Sequence, residues 1–292
     1  MFGRSSKRID LPSMPATLAR IIQVTNTPDA TSEQLSRVVM FDQSLATKVL
    51  RLANSAYFGR RTKAETVTEA VVTLGFASVR NLAASASVVE ALFPKRLFVG
   101  FNWQDMWTHS VTCAVAAECI YNCVGRSSQE GNESAFLAGL LHDIGKLIIA
   151  RALPNRFMQI VEACREYNFE MVRAENNYLS TNHSKIGYDL AQQWDFPEKI
   201  SAGIAYHHMP EDACEHEDLA RVVQAANMLA KRLGRNYLVG VPVDISLGSI
   251  AEAAGMSAGD VNLVVDQVRD RLKQCGELLS WADRMPCQKQ AA

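Results

Sequence analysis

Leu140-Leu141-His142-Asp143-Ile144-Gly145-Lys146 is the stretch that decides how this sequence is read. Apolar residues lead into an imidazole and a carboxylate side by side, and a glycine and a lysine follow directly. Inside a buried helix a His-Asp pair costs desolvation free energy unless something pairs or binds it. The run therefore reads as an apolar helix that delivers two polar groups to an interior site. Gly145 permits close approach of a backbone or ligand, and Lys146 is placed to meet a phosphate or a carboxylate.

Helical spacing continues outward on both sides. Apolar residues recur at intervals of three and four in Leu18, Ile21, Ile22 and in Leu45, Val49, Leu50, Leu52. Thr31 with Gln34, and Ser257 with Asp260, have the spacing of helix-capping pairs. Prolines and glycines such as Pro28, Gly75, Pro154, Pro197 and Gly255 separate the segments. No alternating run requires a sheet, and the Val-rich stretch Tyr237 to Ile245 reads as a loop. The fold class is all-α. Trp103, Trp107 and Trp194 are expected in the core. Asn54 reads as a helix C-terminal cap. Ser257 to Trp281 reads as one long amphipathic helix that covers the core or offers a docking face.

Pro94 and Gly100 interrupt the pattern between Phe93 and Asn102. The expected organisation is a tail over 1–10, an N-terminal helical subdomain over 11–100 and a histidine-bearing subdomain over 101–235. Residues 236–292 then form a loop and a helix packed on the core.

Charge excludes some functions. Thirty basic residues face thirty-one acidic ones, a formal net charge of −1, which gives no electrostatic reason to expect nucleic acid or an acidic membrane. Short basic clusters such as Lys231/Arg232/Arg235 read as solvated surface. No run approaches the roughly 18 apolar residues of a membrane span, and the N-terminus lacks the apolar core of a secretory signal. The seven cysteines have no zinc-ribbon spacing and read as reduced, mostly buried thiols of a cytoplasmic protein.

Six histidines remain, five of them in a distinctive order: His109, His142 beside Asp143, His183, then His207-His208, with His216 the sixth. Taken singly, His109, His183 and His207-His208 are each more often satisfied core or helix-end residues than ligands, whereas the His142-Asp143 pair reads as a ligand pair. Together they supply neutral imidazoles and a carboxylate, donors that suit Fe, Mn or Zn when they converge from different elements.

Leu141 to Lys146 resembles the defining motif of the HD superfamily of metal-dependent phosphohydrolases, and His109 matches that superfamily's first histidine. His183-Ser184-Lys185-Ile186-Gly187, Trp194-Asp195-Phe196-Pro197 and His207-His208 resemble the HD-GYP and HDOD branches. Leu11 to Pro15, Phe41 to Leu45, Leu52 to Gly59 and Ala70 to Gly75 are similar to the HDOD domain specifically. The likeness spans about 11–233.

The resemblance implies a multi-helical HDOD/HD-like bundle holding a divalent metal, Fe or Mn favoured and Zn possible. It assigns the metal ligands to His109, His142, Asp143, His183, His207 and His208, with Asn227 where the superfamily has an aspartate. In an active member, Asp143 and Lys146 would be catalytic. Two departures weigh on activity. The Gly-Tyr-Pro motif of the cyclic di-GMP hydrolases does not follow His207-His208, where Met209-Pro210-Glu211-Asp212 stands instead. Asn227 is neutral and cannot act as a base, which weakens metal binding and water activation. The implied function is a bacterial signal-transduction protein with a metal site of weak or absent hydrolase activity, answering to a signalling protein or a nucleotide. The alternative is a phosphohydrolase or phosphodiesterase using metal-activated water.

Overall fold

Capping sets the helix starts. Thr31 accepts from the Gln34 backbone while the Gln34 side chain accepts from the Thr31 N–H, and Ser257 and Asp260 form the same reciprocal box. The computed structural model describes residues 9–25, 27, 29–54, 63–92, 98–125 and 128–280. Their regular elements are helical: α1 Ala16–Thr25, α2 Ser32–Met40, α3 Gln43–Ala53, α4 Val67–Leu74, α5 Phe76–Leu92, α6 Trp103–Cys123, α7 Gln129–Leu141, α8 Ile144–Ala152, α9 Pro154–Tyr167, α10 Met171–Leu179, α11 His183–Gln193, α12 Glu198–Tyr206, α13 Glu217–Arg232, α14 Leu247–Ala254, α15 Ala258–Gln274 and the single turn α16 Gly276–Leu279.

Two apolar cores organise these helices. The first gathers Ile21, Leu35, Val39, Leu45, Val49, Val67, Val71 and Val79 from α1 to α5. The second surrounds α6, against which α7, α13 and α15 pack. α1 and α5 serve both, since Leu18, Ile22, Leu82 and Val88 point into the second core while Ile21, Val79 and Ala83 point into the first. The Trp194 indole also donates to the Pro12 carbonyl at 3.1 Å, tying the N-terminal segment to the end of α11. Trp103, Trp107 and Trp194 are all buried.

Three details differ from the sequence reading. The C-terminal helix stops at Gln274, because Cys275 and Gly276 break it into α15 and α16, and Trp281 lies outside the described residues. Val261, Val264, Val265 and Val268 are buried and α15 packs on α6, so this helix covers the core. The Asn54 side chain donates to the Ala64 carbonyl and accepts from the Ala64 N–H, at 2.8 and 2.7 Å. Asn54 therefore clasps the chain ten residues on, spanning Ser55 to Gly59 of the HDOD-like motif, which lie outside the described residues. The stretch from Tyr237 is a loop as read, except that Leu238 bridges Phe101 and the Asn102 N–H bonds to the Tyr237 carbonyl.

Candidate metal centre

Helix ends build the centre. α7 runs out at Leu141, His142 is its C-terminal cap, and Asp143 leads directly into α8. His183 opens α11 behind the Asn182 cap, and His207 closes α12. His109 comes from the middle of α6. Gly145 brings the pieces together: a Cβ there would sit 2.0 Å from the His183 carbonyl oxygen, so α8 and the start of α11 meet backbone to backbone.

The five histidines singled out in the sequence converge on Asp143. Its Oδ1 lies 3.2 Å from His183 Nε2 and 3.9 Å from His207 Nε2. Its Oδ2 lies 3.3 Å from His142 Nε2 and 3.9 Å from His109 Nε2. His208 Nε2 is 3.2 Å from His183 Nε2, and His183 and His207 are 3.3 Å apart through the same atoms. His109, His142, Asp143, His183 and His207 are fully buried, while His208 keeps some exposure at the edge.

What holds each ring fixes its proton. His109 Nδ1 lies 2.7 Å from the Arg235 carbonyl, His142 Nδ1 2.7 Å from the Gly139 carbonyl and His207 Nδ1 2.9 Å from the Ile204 carbonyl. A carbonyl only accepts, so in each ring Nδ1 carries the hydrogen and Nε2 presents a bare lone pair to the centre. His183 Nδ1 faces Glu175 Oε2 at 2.5 Å, and the same oxygen accepts from the His183 backbone N–H at 2.8 Å. Burial, then the His142 imidazole, lower the His109 pKa to about 3. Burial likewise holds His183, His207 and His208 well below the usual histidine range. Lone pairs crowded at 3.2–3.4 Å repel one another unless a cation lies among them. Ring nitrogens anchored on the outer side and bare on the inner side are the arrangement of metal-binding histidines, so the residues present fit a divalent ion.

Charge around Asp143 is balanced on both oxygens. Lys146 Nζ lies 2.5 Å from Oδ1, and the Tyr237 hydroxyl donates to Oδ2 at 2.9 Å while it accepts from Lys146. Burial raises the Asp143 pKa, but His142 and Lys146 outweigh it and the carboxyl stays well below its usual range. Burial pushes the Glu175 carboxyl up to about 8. Asn227 sits buried on α13, and its amide oxygen has no hydrogen-bond partner. A cavity of about 270 Å³ opens beside the cluster, lined by Lys146, Glu170, His183, His208, Lys231 and Tyr237 among others. Lys146 and Lys231 both line this cavity, and burial and then Lys146 lower the Lys231 pKa, which works against its charged form.

Four participants escaped the sequence reading. Glu175, Tyr237 and the Arg235 carbonyl hold site residues, and Cys113 Sγ lies 3.4 Å from His109 Nε2. Only Cys113 had a local signal, since it stands four residues after His109 on one helix face.

An all-helical bundle carrying this histidine/aspartate cluster belongs to the class of HD-like domains. The HDOD domain model matches residues 11–210, and the chain belongs to the HDOD domain family. Two solved structures are similar over nearly the whole chain. A protein of Shewanella amazonensis SB2B, provisionally named a phosphohydrolase, is 27% identical with a TM-score of 0.72, covering 94% of each chain. An HDOD domain protein of unknown function from Geobacter sulfurreducens is 26% identical with a TM-score of 0.74, covering 94% of this chain and 93% of that one. An uncharacterized protein of Treponema pallidum (strain Nichols) is 26% identical over 232 residues, 77% of this chain, and the match spans 43% of that relative's length.

Proposed function

We propose that this protein is a metal-binding regulatory domain of bacterial signal transduction, acting in the cytoplasm, whose centre turns over phosphoesters weakly or not at all. The observation that carries the reading is the set of Nδ1-anchored histidines aiming bare Nε2 atoms at Asp143. His109, His142, His183, His207 and His208 would hold divalent metal, with Asp143 reaching one group through each oxygen. The oxygen-and-nitrogen set around His183 suits Fe or Mn and also accepts Zn. Such an ion supplies Lewis acidity and positive charge.

The protein's own groups favour regulation over turnover. Lys146 is committed to Asp143 and Tyr237, and the neutral Asn227 offers no carboxylate base. A nucleotide or a second signalling protein would read the state of the centre. A hydrolytic reading has its own support in the lysine-lined cavity beside the cluster and in the provisional name of the Shewanella relative. In it, Lys146 and Lys231 would draw a phosphate toward the histidines.

The test is metal analysis of protein purified without chelator, beside the His142→Ala/Asp143→Ala double variant, with phosphodiester turnover measured in parallel. The expected result is stoichiometric metal in the wild type, lost in the double variant, and turnover near background that rises in Asn227→Asp. A folded, metal-free wild type would overturn the metal centre. Metal-dependent turnover by the wild type would overturn the regulatory reading and install the hydrolytic one.

A further inference from the structure

Resting on the metal-centre reading, we propose that Cys113 is a metal ligand on the His109 side of the cluster, supplying an anionic sulfur donor there. Three observations meet at this point. Cys113 is fully buried on α6, one turn after His109, and its sulfur lies 3.4 Å from His109 Nε2. Cys113 Sγ, His109 Nε2 and His142 Nε2 all lie within 4.8 Å of one another. His109 and His142 present bare Nε2 atoms, because the Arg235 and Gly139 carbonyls take their Nδ1 hydrogens.

Two of the separations lie close to those a tetrahedral ion needs. Bonds of about 2.05 Å to nitrogen and about 2.3 Å to sulfur place tetrahedral donors about 3.4 Å apart for N···N and about 3.6 Å for N···S. The observed distances are 3.4 Å for His109 Nε2 to His142 Nε2 and 3.4 Å for Cys113 Sγ to His109 Nε2. Asp143 Oδ2 lies 3.3 Å from His142 Nε2 and 3.9 Å from His109 Nε2, so it offers an oxygen on the same side of the cluster.

The two sides of Asp143 then differ in chemistry. His183, His207 and His208 with Oδ1 are nitrogen and oxygen donors, whereas a thiolate beside His109 and His142 is soft and selects zinc over manganese. Binding is a balanced exchange: the thiol proton leaves to solvent as the sulfur–metal bond forms, and no electron is transferred. The competing explanation is a thiol that merely donates its hydrogen to His109 Nε2.

Cobalt(II) separates these. The full-length protein is stripped with chelator and titrated with Co²⁺, and absorption is read in the visible and the near ultraviolet. The expected result is visible d–d absorption together with a sulfur-to-cobalt charge-transfer band that disappears in Cys113→Ser and survives in Cys119→Ser. In competition with a chromophoric chelator, the Cys113→Ser variant loses more zinc affinity than the ~10–100-fold typical of removing an outer partner. Wild-type d–d absorption without the sulfur band overturns the role of Cys113 and leaves the metal centre standing, and needs no variant to fold. A band that persists in Cys113→Ser does the same. Failure of the wild type to take up cobalt overturns the centre and the cysteine together.

Discussion

The core under α1 to α5 and the core around α6 are made from similar helices but bury different things. The first encloses Ile21, Leu35, Val39, Leu45 and Val49, and the hydroxyl of its buried Ser36 is satisfied within α2 by the Ser32 carbonyl. Each apolar side chain there contributes burial free energy directly, at about 25 cal/mol per Å² removed from water. The second encloses the carboxyl groups of Asp143 and Glu175, the Lys146 amine and four histidines as well as its apolar residues. Desolvating such ions costs several kcal/mol apiece, and an apolar replacement of equal volume is often the more stable choice. A cluster of this kind earns no place through stability alone. Ligand binding to the folded state offsets its cost.

Removing the hub of the polar core should produce the largest effect. Asp143→Ala is expected to abolish stoichiometric metal and, by leaving Lys146 buried without its partner, to lower stability by about 3–5 kcal/mol. Leu35→Ala in the apolar core should cost a comparable ~2–5 kcal/mol and leave metal content unchanged. Urea unfolding and elemental analysis of both variants check this, and a metal-poor Leu35→Ala would dissolve the distinction between the cores.

Acid should come next. In the chelator-stripped protein the His109 pKa lies near 3 against 6.5 when unfolded, and His183, His207 and His208 are depressed as well. The unfolded chain therefore binds more protons below pH 6.5, and the stability these groups contribute above that value is lost as pH falls. Each costs about 1.4 kcal/mol per pH unit in that range. Melting temperature should drop steeply from pH 7 to pH 5, and flat behaviour would mean the histidines are not desolvated. Smallest of the three, Glu175→Gln should weaken metal binding ~10–100-fold by loosening His183, with little change in the fold by circular dichroism. Unchanged affinity would reduce Glu175 to a bystander.

The sequence made the all-helical class legible because helical spacing and caps such as Thr31/Gln34 are local signals. The convergence of His109, His142, Asp143, His183 and His207-His208 could be anticipated from their order together with the likeness to the HD superfamily. Glu175 and Tyr237 could not. Glu175 sits eight residues before His183, a spacing that identifies nothing until the turn between α10 and α11 folds it back. Tyr237 lies in an irregular segment and reaches Asp143 only because residues 98–102 pair with it across more than a hundred positions. Cys113 was grouped with inert thiols, since composition carries no information on which buried sulfur faces an imidazole.

The Arg235 carbonyl and the Tyr237 hydroxyl fall beyond residue 210, where the match to the family model stops. Synthesis delivers a chain N-terminus first, so every histidine of the cluster leaves the ribosome before the two groups that steady His109 and Asp143. Until those residues emerge, His109 lacks the carbonyl that fixes its proton and Asp143 lacks the hydroxyl on its Oδ2. A fragment ending at residue 210 would lose both of these groups together with α13 and α15, two of the helices that pack on the one carrying His109.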